Sequence, residues 1–195
     1  MESLDRDRAS ESVRAAFSSH AEMVRALGAM GPDIIAAADV VASAFADGHQ
    51  LLLCGNGGSA ADAQHIAAEF TGRFLKERNP WPAIALSTNS SGLTAIGNDY
   101  GFENVFSRQV RAHGHAGDVL LAISTSGSSP NILAAIESAR ELGMQTVGLS
   151  GAGGDMSRVC DICLAVPSDS TPRVQEGHIL VAHVLCGLVE DALTQ

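Results

Sequence analysis

From about residue 4 to residue 46 the apolar residues recur at the three- and four-residue intervals of a helix, with Phe17, Met23, Val24, Leu27, Ile34, Ile35, Val40, Val41 and Phe45 forming the stripes. Gly31-Pro32 breaks the rhythm, so the spacing predicts two helices parted at that dipeptide. After Gly48 the pattern changes to short apolar runs at residues 51–54, 83–86, 119–123, 146–149 and 162–166. Gly, Pro, Asp or Ser bounds each run and a helical segment follows, which is the pattern of β-α units in a parallel sheet of five strands. The last segment, residues 171–193, regains helical spacing and predicts one long C-terminal helix. In an open parallel sheet ligands bind outside the carboxyl ends of the strands. The hydroxyl and glycine residues at Ser87-Thr88, Ser124-Thr125 and Ser150-Gly151 would converge on that edge.

Composition narrows the picture. A chain of 195 residues with 46% hydrophobic content can bury one sizeable core, so we expect a single domain over 1–195, with a helical pair at 1–47 and an α/β core at 48–195. One Trp and one Tyr suit helices packed closely on a sheet better than an aromatic β-sandwich. The expected fold is therefore an α/β three-layer sandwich with a five-stranded parallel sheet, flavodoxin-like, plus an N-terminal helical extension. A formal charge of -10 repels phosphate backbones and argues against a nucleic-acid partner. The charged opening, Met1 to Arg8, lacks the apolar core of a secretion signal, and no stretch is read as approaching a membrane span. The expectation is a cytoplasmic protein with no membrane partner. Cys54, Cys160, Cys163 and Cys186 lie in or beside apolar runs, as reduced buried thiols do. Cys160-Asp161-Ile162-Cys163 has no second pair to complete a metal site and is read as part of a strand.

Three segments can carry chemistry. Gly55-Asn56-Gly57-Gly58-Ser59 follows the first strand and opens a helix, where glycines and free N–H groups favour an anion or a sugar hydroxyl; a tight turn with a serine cap would look the same. Ser124-Thr125-Ser126-Gly127-Ser128-Ser129-Pro130 packs five hydroxyls between a strand and a helix. That is more than helix capping needs, and enough to grip a phosphate without a lysine. His65 and Glu69 stand four residues apart on one helical face, a spacing that an ordinary surface pair also has. Gln175 and His183 share a side of the C-terminal helix, with His178 between them. His65, Glu69, Gln175 and His183 together would make a nitrogen and oxygen donor set compatible with zinc, if the two helices meet. His113 and His115 fall in a turn and are read as solvated surface.

Taken together, Cys54-Gly55-Asn56-Gly57-Gly58-Ser59, Asp62-Ala63-Gln64-His65 with Glu69 and Thr71-Gly72-Arg73, Gly97-Asn98-Asp99-Tyr100-Gly101-Phe102, Ile123 to Gly127, and Arg173-Val174-Gln175-Glu176 resemble the sugar isomerase (SIS) family. Within it the resemblance is to the phosphoheptose isomerases of bacterial lipopolysaccharide and capsule heptose synthesis, and it covers nearly the whole chain. It implies an aldose-ketose isomerase acting on sedoheptulose 7-phosphate, with Glu69 and His183 as catalytic pair. Asn56, Gly57, Gly58, Ser59, Asn98, Asp99 and Gln175 would then bind substrate alongside Glu69, and Ser124, Thr125, Ser126 and Ser129 would hold the phosphate. The resemblance further implies zinc on His65, Glu69, Gln175 and His183, no organic cofactor, and a homotetramer with sites at subunit interfaces, built with the N-terminal helices.

A rival within the same family is the non-catalytic initiator-associating factor that binds DnaA, which Gly114 to Leu121 also resembles. A binding module has no need of a carboxylate at 69 or an imidazole at 183, and this chain has both. A sugar-sensing transcription regulator would need a DNA-binding domain; acidic, alanine-rich N-terminal helices do not supply one.

Overall fold

The Asp5 carboxylate accepts the N–H groups of Asp7 and Arg8 and so caps helix α1, Arg6–Leu27. In this computed structural model, which describes residues 4–194, a 3-10 turn at Gly28–Met30 leads into α2, Gly31–Ala46. The break thus falls just before Gly31-Pro32, because proline fits the first turn of a helix, where its missing N–H costs nothing. The expected stripe on α1 divides in two. Met23 and Leu27 are buried, whereas Val13 and Phe17 stand exposed, as does Ile35 on α2. Among the described residues, the apolar face of the first half of α1 has no partner.

All five expected strands form, with no end displaced by more than one residue: β1 Leu51–Gly55, β2 Ala83–Ala85, β3 Val119–Ser124, β4 Gln145–Ser150 and β5 Ile162–Ala165. They pair parallel in the order β2-β1-β3-β4-β5. Between them run α3 Gly58–Thr71, α4 Ser90–Tyr100, α5 Ser107–His113, α6 Pro130–Glu141 and α7 Met156–Val159, and the chain ends in α8, Thr171–Leu193, as the spacing predicted.

Alternation along the strands divides the interior. Leu51, Leu53, Val119, Leu121 and Ile123 face the layer that contains α2, α3 and α8. Leu52, Cys54, Leu120 and Ala122 face α5, α6 and α7. Burial on both faces explains why the strands are unbroken apolar runs, since a sheet covered on one side only would alternate with polar residues. The fold is the expected three-layer α/β sandwich with a helical extension.

One expectation needs correction. The helical stretch Arg6–Ala46 is long and apolar enough, by length and composition, to cross a membrane. Its apolarity has a packing cause: Ala37, Ala38, Val41, Ala42 and Phe45 of α2 are buried in the core beside α8.

Candidate functional site

The sheet order reverses between β1 and β3, which places a crevice outside the carboxyl ends of those two strands. The two loops singled out in the sequence flank it. After β1, Asn56, Gly57 and Gly58 lead into α3, with Ser59 buried beneath them. Gly58 packs against the Gln175 amide of α8, which a side chain at that position would displace. After β3, Ser124 Oγ lies 2.9 Å from Ser129 Oγ and 3.3 Å from Ser126 Oγ. Ser129 stands at the start of α6 without capping it by its side chain; its hydroxyl turns into the cluster instead. Gly127 has φ +65 and packs on the Gly153 carbonyl, so only glycine fits the bend. Thr125 and Ser126 open onto a cavity of about 280 Å³ shared with Ser168 and Asp169. A larger one of about 710 Å³, between α6 and α7, holds none of the predicted site residues.

The second cluster lies where α3 and α8 run side by side. His65 Nε2 is 2.9 Å from His183 Nε2 and 3.3 Å from Glu69 Oε1, and all three donor atoms lie within 4.8 Å of one another. The helices do meet, as the zinc reading required. His183 is held between two rings, with its centroid 5.6 Å from Phe74 and 5.1 Å from His65. Gln175 stands apart from this trio. Its amide packs at Gly58, and the eight-position step from it to His183 amounts to about 12 Å of helix. Glu69 lies in turn about 16 Å along α3 from Gly58. Within one chain, then, the carboxyl-edge loops and the carboxylate-imidazole trio form two separate clusters.

Asn98 and Asp99 end α4 exposed, with the Asn98 amide donating to the Asp99 carboxylate at 2.7 Å. Among the described residues no hydrogen bond or ion pair ties them to either cluster. His113 and His115 are exposed as expected. All four cysteines are free; burial pushes Cys160 and Cys186 up to about 12 and raises Cys54 and Cys163, which leaves them as protonated thiols. His178 is fully buried, and burial pushes its pKa down; the Ser150 backbone, close but outside hydrogen-bonding geometry, opposes that.

Two groups near the clusters escaped the sequence reading. Glu190 of α8 is buried and accepts the N–H groups of Phe74, Leu75 and Lys76, at 3.2, 2.8 and 2.8 Å, together with Arg78 Nε at 3.2 Å. Burial alone would raise its pKa, but these donors outweigh it and hold the carboxyl below the usual range. Arg78 stacks 3.7 Å over Trp81 and donates to the Glu69 carbonyl at 2.7 Å and the Phe70 carbonyl at 2.9 Å. This clasp fixes the segment after α3 that carries Phe74 to His183. Its only sequence signal is a glutamate inside the apolar run Leu188-Val189-Glu190. The second group is Asn131 on α6, buried and paired with Asn56.

Comparison with known proteins bears on this geometry. The SIS domain family matches residues 17–151. A phosphoheptose isomerase of Rhodospirillum rubrum is 58% identical over 184 residues, covering 94% of this chain and 98% of that protein. The structure of a phosphoheptose isomerase from Neisseria gonorrhoeae superposes with TM-score 0.89 at 42% identity, over 94% of this chain and 99% of that one. One from Francisella tularensis gives 0.91 at 39%, over 94% and 98%. The chain is therefore a member of the SIS domain family, in its phosphoheptose isomerase branch.

Proposed function

We propose that this chain is the isomerase that converts D-sedoheptulose 7-phosphate to D-glycero-D-manno-heptopyranose 7-phosphate in the cytoplasm, the first step of bacterial heptose synthesis for lipopolysaccharide or capsule. The observation that carries the reading is the meeting of Glu69, His65 and His183 from two helices. Moving a carbonyl from C2 to C1 requires removing a proton at C1, holding an enediolate, and returning a proton at C2. Glu69 takes the C1 proton. His183 moves protons between the two oxygens, and the 2.9 Å contact with His65, in which one ring nitrogen donates and the other accepts, fixes which tautomers the pair can hold.

Ser124, Thr125, Ser126 and Ser129 hold the phosphate. Support for that assignment is the convergence of the three serine hydroxyls at the head of α6, where the backbone N–H groups of Ser126, Ser129 and Asn131 have no protein acceptor among the described residues. Asn56, Gly57, Gly58, Ser59, Asn98, Asp99 and Gln175 bind the sugar.

Because the phosphate loop and the proton-transfer trio are separate within one chain, we infer that a working site combines them from neighbouring subunits of a homotetramer. The exposed apolar residues Val13 and Phe17 of α1, and Leu180 and Val184 flanking His183 on α8, are suited to the contact. The N-terminal helical pair, within a single domain over 1–195, serves that assembly.

His65, Glu69 and His183 are also the residues that would hold a zinc ion, since their donor types and mutual closeness fit one. Gln175, whose amide packs at Gly58, would have to turn away from that glycine to join them. Such an ion supplies Lewis-acid stabilisation of the developing oxyanion. Ligation lowers the basicity of Glu69, so direct coordination and proton abstraction oppose each other in that carboxylate.

Glu69→Gln tests the assignment. The amide keeps the size and one acceptor oxygen but cannot take up the C1 proton, so substrate binding measured by calorimetry should persist while turnover disappears. Turnover at the rate of the unsubstituted protein would refute Glu69 as the base.

A further inference from the structure

Asn56 and Asn131 join the two loops that flank the crevice. Asn56 Nδ2 donates to Asn131 Oδ1 at 2.9 Å, and Asn131 Nδ2 donates back to Asn56 Oδ1 at 2.9 Å. Reciprocal pairing uses one N–H and one acceptor site of each amide, so Asn56 keeps one N–H and one lone pair to offer elsewhere. The two residues stand 75 positions apart in the chain, yet the register makes them neighbours. Gly55 at the end of β1 lies beside Ile123 near the end of β3. Asn131 is the second residue of α6, directly after Ser129 and Pro130, and is only 3% exposed. Its side chain therefore takes no direct part in the crevice surface, while Asn56 is half-buried at the mouth.

We propose that Asn131 is a positioning residue for sugar recognition. Its carboxamide fixes the plane and place of the Asn56 amide, and it ties the glycine loop after β1 to the serine loop after β3. A phosphosugar gripped at one loop then meets a fixed donor on the other. A free asparagine would have to be ordered at each binding event, which weakens binding and misplaces the reacting carbons. The inference rests on the reading that Asn56 binds sugar and the serines bind phosphate.

A double-substitution cycle on the full chain separates this role from that of a plain strut. Asn131→Ala, Asn56→Ala and the pair together are compared with the unsubstituted protein for kcat/KM and Kd with sedoheptulose 7-phosphate. Inhibition by inorganic phosphate and the melting temperature are followed alongside. Asn131→Asp, which keeps size and shape but cannot donate to Asn56 Oδ1, covers the case in which the alanine variant does not fold. The expected result is a roughly tenfold fall in kcat/KM for either Asn131 variant. Inhibition by inorganic phosphate should stay within about twofold, and the double variant should be no worse than Asn56→Ala alone.

Additive losses in the cycle, a parallel weakening of phosphate inhibition, or unchanged kcat/KM in both Asn131 variants would each overturn the proposal. If Asn56→Ala itself binds and turns over normally, the sugar role of Asn56 and this inference fall together while the isomerase reading stands. If the unsubstituted protein neither binds nor converts the sugar, the functional reading falls and takes the inference with it.

Discussion

Ser126 shows how a residue's job limits what its loss can do. Its hydroxyl faces Ser124 and accepts the N–H of Ser128 at 3.3 Å, within a loop whose backbone is already set by Gly127. A phosphate is bound alike in the ground and transition states, so Ser126→Ala should raise KM several-fold with little change in kcat. Steady-state kinetics decide the matter, and a fall confined to kcat would count against phosphate binding. Glu69 and His183 were legible in the chain only once the family pattern joined them. As isolated residues, a carboxylate four positions from a histidine and a histidine in an apolar helix each have ordinary explanations. Nothing in their spacing reveals that α3 and α8 lie side by side. Asn131 was less legible still, because a polar residue in the first turn of a helix is common and its partner stands 75 positions away in the loop after β1.

At the scale of elements, the clasp between α8 and the segment after α3 is the feature with most influence on the trio. Glu190 collects three backbone N–H groups and Arg78, and so determines where Phe74 stacks on His183. Glu190→Gln puts an amide N–H where donors already crowd and leaves Arg78 buried without its counter-charge, which should cost about 3 kcal/mol. Denaturant unfolding measures that loss, and a loss below about 1 kcal/mol would contradict the clasp.

The sign with pH follows from the depressed pKa of Glu190 in the fold. The stability it contributes is fully present above its ordinary value of 4.5 and is lost as pH falls through the lower native value. The variant should therefore show a flatter acid limb. Elements themselves were largely legible, since five apolar runs gave five strands and the helical spacing of 171–193 gave α8. The displaced break between α1 and α2 and the outward face of α1 were not. Periodicity states that a helix has an apolar side; it does not state which way that side points.

For the whole molecule, the exposed face of α1 and the separation of the two clusters lead to the same expectation. An apolar stripe that includes Phe17, which is 73% exposed, is suited to a subunit contact, and in the proposed reaction the trio needs a phosphate loop that its own chain does not bring beside it. Phe17→Asp should convert the proposed tetramer to smaller species in light scattering and reduce turnover in step. A fully active monomer would contradict sites shared between subunits.

Proton chemistry at a carboxylate remains the claim on which the functional account turns. The most direct measurement is conversion of sedoheptulose 7-phosphate in deuterated water, with the product read by NMR and mass spectrometry. Removal of the C1 proton by Glu69, its exchange with solvent while the enediolate is held, and delivery of a solvent-derived proton to C2 predict deuterium at C2 of the heptose product. Product formed without any deuterium there would contradict that route, and no product at all would contradict the isomerase itself.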